Sequence, residues 1–384
     1  MYDIILAFIT AFTLTYFAIP SIVYIAKKKN LVDEPGERRS HTVSTPSLGG
    51  IAIFAGVLFS IILWTPFNVF GDLQYILCAF IIIFLIGARD DIIPVPAVKK
   101  LLAQIFAACI LVFKSNVVIT SLYGLFGVLD LNIYVSYALS IFTILVIINA
   151  FNLIDGINGL SGSIGILISI TFGTWFILID RLELAIIAFT LAGATLAFLK
   201  YNITPARIFM GDTGSLLIGL VCAILAIKFI ELNRTILISS DFEHYRHLAV
   251  KSVPAVTIGI MIIPLFDTLR VFLTRALRGR SPFSPDRTHI HHLILDLGFS
   301  HMQGTGILLG VNILFILMVF NMQGVGTFNL LVLVLVTAGA LTGWLYYLVN
   351  NKRKLKVKQA LNEMSSGQRS AETIGQKDLR QSNP

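Results

Sequence analysis

Charge is what this sequence has least of. Only 13% of its 384 residues are Asp, Glu, Lys or Arg, whereas a soluble domain carries about 25%. Apolar residues make up 56% even without glycine, and the mean hydropathy is +0.84. No aqueous fold hides that much apolar surface, so the composition excludes a water-soluble protein and demands an integral membrane one. Cysteine is nearly absent as well. Cys78, Cys109 and Cys222 lie inside apolar runs with no Cys-x-x-Cys or Cys/His spacing, so they read as filler and say nothing about redox compartment. Acidic residues are outnumbered, 21 against 29 basic ones, for a net charge of +8.

Apolar runs long enough to cross a bilayer as helices, about 17–25 residues, fall at 4–26, 48–65, 73–88, 99–114, 134–151, 160–179, 183–199, 213–230, 252–274, 303–321 and 327–349. The expected fold class is therefore an all-α polytopic membrane protein with about eleven transmembrane helices. The first run lacks the small-residue cleavage site of a signal peptide and is followed by Lys27, Lys28 and Lys29, which predicts an anchor with its N-terminus outside. Threading eleven spans from there puts twenty-three basic residues on the inner side and six on the outer, as the positive-inside rule requires. Much of the positive charge is thus topogenic, and no nucleic-acid partner is expected. Residues 115–133 suggest an outer hairpin or a re-entrant loop. Residues 1–350 form the expected transmembrane domain. The tail, 351–384, begins with Lys352, Arg353, Lys354, Lys356 and Lys358 and turns polar from Ser365, which predicts disorder.

Five polar clusters fall at helix ends, and the threading puts them all on the inner face. Asp33-Glu-Pro-Gly-Glu-Arg-Arg-Ser-His41 runs on to Gly49-Gly50, and is either a ligand-binding loop or a solvated basic one. Arg89-Asp90-Asp91 sets two carboxylates side by side, which repel unless a proton or a cation intervenes. A hard cation such as Mg2+ suits them, and capping with an Arg89 ion pair is the plainer alternative. Lys100, in the next span, can reach an anionic headgroup or merely snorkel.

Asn149-Ala-Phe-Asn152-Leu-Ile-Asp155-Gly156-Ile-Asn158-Gly-Leu-Ser-Gly162 is the third cluster. Asn149, Asn152 and Asp155 recur every three residues, so on a helix they share a face. Its glycines expose amides to a phosphate or a planar base. The fourth, Arg207-Ile-Phe209-Met-Gly211-Asp212-Thr-Gly-Ser215, offers Asp212 as a metal ligand or an N-cap, with Phe209 as a stacking surface. The fifth is Asp286-Arg287-Thr-His289-Ile-His291-His292. It lacks the spaced ligands of a zinc site and suits phosphate better. Upstream, Asp267 and Arg270 stand three apart near Pro264 and read as a structural ion pair.

Taken together, Asp90-Asp91, the Asn-x-x-Asn-x-x-Asp-Gly run, Phe-Met-Gly-Asp-x-Gly-Ser and His-x-His-His resemble the polyprenyl-phosphate N-acetylhexosamine-1-phosphate transferases. The resemblance runs from Asp33 to His292. It implies transmembrane helices around a cytoplasm-facing cleft, often in a dimer, in the bacterial inner membrane. The implied reaction joins UDP-HexNAc and polyprenyl phosphate, releasing UMP, at the start of a cell-envelope polymer such as O-antigen or teichoic acid. By motif, Asp212 and Asp91 would bind Mg2+, or Mn2+ in its place, while Asp90, Asp91, Asp155 and His291 would serve catalysis. Lys100, Asn149, Asn152, Gly156, Asn158, Phe209, Gly211, Arg287, His289, His292 and His41 would bind substrate. Asn158 stands where the family often has an aspartate, so a charge there is missing. His-Ile-His-His-Leu differs from the peptidoglycan translocase motif and favours the GlcNAc branch. Asp90 would deprotonate or orient the lipid phosphate for direct attack, with a phospho-aspartyl route as the alternative. A transporter is the rival reading, but its charges would lie at the midplane within inverted repeats, and neither feature is visible.

Overall fold

The computed structural model describes residues 1–31, 45–279 and 289–381; His41 and Arg287 lie outside them. In chain order the helices are α1 (Tyr2–Lys28), α2 (Gly49–Trp64), α3 (Leu73–Ile92), α4 (Ala97–Lys114), α5 (Ile133–Ile154), α6 (Leu160–Leu178), α7 (Leu182–Asn202) and α8 (Gly211–Ile238), followed by α9 (Val253–Ile260), α10 (Ile262–Leu277), α11 (Ile290–Asp296), α12 (His301–Asn321) and α13 (Thr327–Gln381). Between α4 and α5 a two-stranded antiparallel hairpin, β1 (Ser121–Leu125) with β2 (Val128–Asp130), fills the 115–133 segment. It is fastened to the far end of α8, where Tyr123 donates to the Ile230 carbonyl at 2.6 Å and Arg234 pairs with Asp130 at 2.9 Å.

Among the described residues seven helices are long and apolar enough to cross a membrane by themselves: α1, α5, α6, α7, α8, α12 and α13. An eighth span results if α9 and α10 are taken as one. The remaining expected spans are less clear-cut: α2 has 16 residues, α3 ends in Arg89-Asp90-Asp91, and α4 carries Lys99, Lys100 and Lys114. The bundle has a centre and a rim. The apolar window of α8 is 83% buried and that of α7 78%, against 28% for α1 and 22% for α13. A rim helix can show its apolar side to lipid at no hydrophobic cost, whereas α7 and α8 must satisfy one another and their neighbours.

One span departs from its expected shape. The run at 252–274 breaks at Met261, where α9 and α10 meet at 87°. Pro264 has no N–H, so the Ile260 carbonyl four residues back has no helical partner. Asn312, fully buried on α12, donates to that carbonyl at 3.0 Å and accepts from the Ile263 amide at 3.4 Å. A polar break inside an apolar bundle survives when the freed backbone groups find partners, and Asn312 supplies them. At the chain's end, α13 continues as helix to Gln381, past Ser365 where composition argues against order.

Candidate active site

The start of α8 is the hub. The chain reaches it through residues 203–210, which lie along 45–50: Phe209 donates its amide to Pro46 at 2.7 Å, and the amides of Gly49 and Gly50 return to Phe209 and Met210 at 2.9 and 2.8 Å. Gly211, at φ +71°, turns this segment into the helix. On its other side α3 comes in closely. A Cβ on Gly87 would stand 2.6 Å from the Thr213 Cα, so only glycine lets the end of α3 reach α8.

That approach delivers both carboxylates of the second cluster. Asp91 caps α8 from outside. One of its oxygens accepts from the Asp212 amide at 2.6 Å, and the other from the Thr213 amide at 3.1 Å and its hydroxyl at 2.5 Å. These amides have no partners within the helix, and an anion at a helix start also meets the positive end of the dipole. Asp90 accepts from the Val95 amide at 2.7 Å and from Lys100 at 2.9 Å. The Lys100 ammonium bridges Asp90 to the Asp212 carboxylate. Asn152 donates to the other Asp212 oxygen at 3.0 Å and to Ser215 at 3.1 Å. The second, third and fourth clusters therefore meet at Asp212.

They enclose a cavity of about 500 Å3, lined among others by Asp90, Asp91, Asn152, Asp155, Phe209 and Asp212. Asp155 is not on the helix with Asn149 and Asn152. It forms the non-helical C-cap of α5 (φ −75°, ψ 44°), because the glycines at 156 and 159 end the helix there. Its carboxyl has no hydrogen-bond partner among the described residues. Burial, reinforced by the negative charges of Asp212 and Asp91, pushes its pKa up to about 8. Gly156 and Asn158 also line the cavity. The Asn158 side-chain amide donates to the Thr204 hydroxyl at 3.0 Å, the Asn158 backbone carbonyl accepts from Thr305 at 2.8 Å, and the Asn202 side chain accepts from the neighbouring Gly159 amide at 2.7 Å.

Two expected binding groups lie elsewhere. Asn149 is absent from the lining. It faces α4, where its amide donates to the buried Gln104 at 2.8 Å, and the same nitrogen donates to the Leu145 carbonyl one turn back on α5 at 2.7 Å. Its use is helix packing. The histidines stand behind the cavity wall. His289 sits 2.9 Å from Asp267, whose other oxygen accepts from the Ile290 amide at 3.0 Å and from Arg270 at 2.7 Å. His291 stacks on His289 with centroids 5.7 Å apart, and His292 lies 4.2 Å beyond. The His291 ring is 2% exposed, and neither of its nitrogens has a partner among the described residues. It rests on Gly156, where a Cβ would collide with the imidazole. Burial, with His292 beside it, pulls the His291 pKa down to about 3, so the ring is neutral near neutrality.

Among the described residues no three Asp, Glu, His or Cys side chains stand together as a metal cage. The donor set nonetheless fits a Mg2+ ion, which commonly takes one or two carboxylates and completes its shell with water and substrate phosphates. Asp212 and Asp155 both open onto the cavity, and Lys100 already brings a cation between Asp90 and Asp212.

Residues 73–230 match the family model described as glycosyl transferase family 4. The chain is 31% identical over 320 residues to the decaprenyl-phosphate N-acetylglucosaminephosphotransferase of Mycobacterium tuberculosis, covering 78% of each. It is likewise 31% identical over 284 residues to the undecaprenyl-phosphate alpha-N-acetylglucosaminyl 1-phosphate transferase of Escherichia coli, covering 73% of each. The chain belongs to the polyprenyl-phosphate N-acetylhexosamine-1-phosphate transferase family. The family-model match takes in the whole Asp212 hub of this transferase, from Asp90 through Lys100, Asn152 and Asp155 to Phe209. The histidine helix α11 and the last two spans of the transferase lie beyond the matched stretch.

Proposed function

We propose that this transferase moves HexNAc-1-phosphate, most simply GlcNAc-1-phosphate, from UDP-HexNAc to a polyprenyl phosphate such as undecaprenyl phosphate and releases UMP, as the first membrane step of an envelope polysaccharide. The observation that carries the reading is the meeting of Asp90, Asn152, Asp155 and Asp212 around one cavity, with Lys100 bridging Asp90 to Asp212. The names of the relatives supply the reaction class. Eleven spans, with the N-terminus outside and the cavity opening to the cytoplasm of a bacterial inner membrane, complete the arrangement. It gives a cytoplasmic nucleotide sugar access to the site. A homodimer accords with the family resemblance.

An oxygen of the lipid phosphate attacks the sugar-bearing phosphorus of the donor, a P–O bond to it forms, and the P–O bond to UMP breaks. Both partners are anions, so the site must chiefly supply positive charge and alignment. Lys100 is the side chain suited to steer the lipid phosphate, and Phe209 offers a face for uracil. Asp212 would hold Mg2+ at the cavity, which supplies neutralisation of the diphosphate. Asp90, with both oxygens engaged, is suited to orienting Lys100. Asp155 has no hydrogen-bond partner among the described residues and a raised pKa, so it is the better proton holder. In this reading Asp91 holds the Asp212 backbone in place and does not itself join the metal.

Purified protein given undecaprenyl phosphate, Mg2+ and a panel of UDP-sugars should release UMP with UDP-GlcNAc or another UDP-HexNAc. Release with none of them would contradict the reading. Isotope exchange between UMP and UDP-sugar without lipid would contradict direct attack.

A further inference from the structure

The last helix carries no motif, yet it holds the histidine helix at both ends. Near its inner end, Tyr346 of α13 accepts from Arg270 at 2.6 Å, with the guanidinium 5.5 Å from its ring centroid. Arg270 in turn pairs with Asp267, which holds His289 and the Ile290 amide at the start of α11. Two turns further along α13, Lys352 donates to the Leu297 carbonyl at the other end of α11, and Arg353 pairs with Asp296 at 2.6 Å. A helix C-terminus leaves unpaired carbonyls with partial negative charge, so an ammonium is the natural clamp there. Helix α11 has only seven residues, too few to hold a position by its own hydrogen bonds.

We propose that Lys352 and Arg353 are positioning residues. From α13 they set the height of α11, and so the seat of His291 against Gly156 at the cavity wall. The basic run after the last span thus serves the site as well as the topology. The Arg353–Asp296 pair is exposed, 64% and 47%, and such pairs add little stability. Its loss should therefore appear in turnover before it appears in folding. The inference rests on the transferase reading above. A displacement of α11 by about 1 Å is enough to cost up to ~100-fold in rate.

The test compares kcat, donor KM and thermal melting for the full-length protein and for Lys352→Met, Lys352→Arg, Arg353→Glu and the double variant Arg353→Glu with Asp296→Arg. Lys352→Met and Arg353→Glu should lower kcat about tenfold or more, with donor KM within twofold and melting unchanged. Lys352→Arg and the charge-swapped pair should recover most of the rate. Wild-type rates in Lys352→Met and Arg353→Glu would overturn the inference, as would a loss that neither Lys352→Arg nor the swap recovers. An inactive parent protein would instead sink the transferase reading, so the two failures are distinguishable.

Discussion

The carboxylate of Asp91 accepts the backbone amide of Asp212 at 2.6 Å, across 121 residues of sequence. This bond joins the end of α3 to the start of α8 and fixes where the Asp212 side chain points. The two aspartates thus divide the work, and variants at each should separate it. Asp91→Ala removes hydrogen bonds to a charged acceptor, worth about 1.5–3 kcal/mol each, and should lower both the melting temperature and activity. Asp212→Asn should lower activity alone. Equal melting losses in detergent would contradict the division.

Gly156 and His291 are in direct contact, so Gly156→Ala should act as an overpacking change of about 1–3 kcal/mol. Adding His291→Ala removes the ring that the new methyl meets. Melting curves of the two single variants and the double should therefore be strongly non-additive, the double being more stable than Gly156→Ala alone. Additive losses would show that the contact is absent.

The pH dependence of stability should carry the mark of Asp155. Its folded pKa, about 8, lies above the unfolded value of about 3.9, so between those values the folded state binds more protons. Stability from this group is present at low pH and is lost as pH rises towards 8. His291 acts in the opposite sense, with a folded pKa of about 3 below its unfolded value of about 6.5, so its contribution falls as pH drops below that value. In EDTA, Asp155→Asn should flatten the loss of melting temperature between pH 6 and pH 9. An unchanged slope would contradict the raised carboxyl.

Asn312 serves the 87° break between α9 and α10. Asn312→Ala leaves the Ile260 carbonyl and the Ile263 amide unsatisfied in an apolar interior, at about 1–3 kcal/mol for each buried group. Thermal melting should fall markedly, and Asn312→Leu, which has the bulk without the hydrogen bonds, should not restore it. Recovery in the leucine variant would mean that packing alone sets the break.

Much of this arrangement is legible in the residues themselves. Each expected apolar run corresponds to a helix or to the broken α9–α10 pair, because bilayer-length hydrophobicity leaves little choice but helix. Asp90, Asn152, Asp155, Phe209 and Asp212 were grouped by motif, and the cavity joins them. What escaped depends on partners far away in sequence. Asn149 belongs to Gln104, which has no motif, and nothing local tells a packing amide from a binding one. The Asp267–Arg270 pair is where spacing put it, but its hold on His289 bridges 22 residues. The break at Met261 has part of its cause in Asn312 on another helix. Thr213 and Ser215 stand inside the fourth cluster without a role that their residue types announce, and Asn202 carries no signal except proximity to the motifs.

The most direct measurement is UMP release by the purified protein from UDP-GlcNAc and undecaprenyl phosphate, with and without Mg2+, beside Asp212→Asn. If the Asp212 hub is the transfer site, release requires the lipid and the cation and falls by at least about a hundredfold in a variant that still melts like the parent. A well-folded Asp212→Asn protein that releases UMP at the parent rate would contradict it.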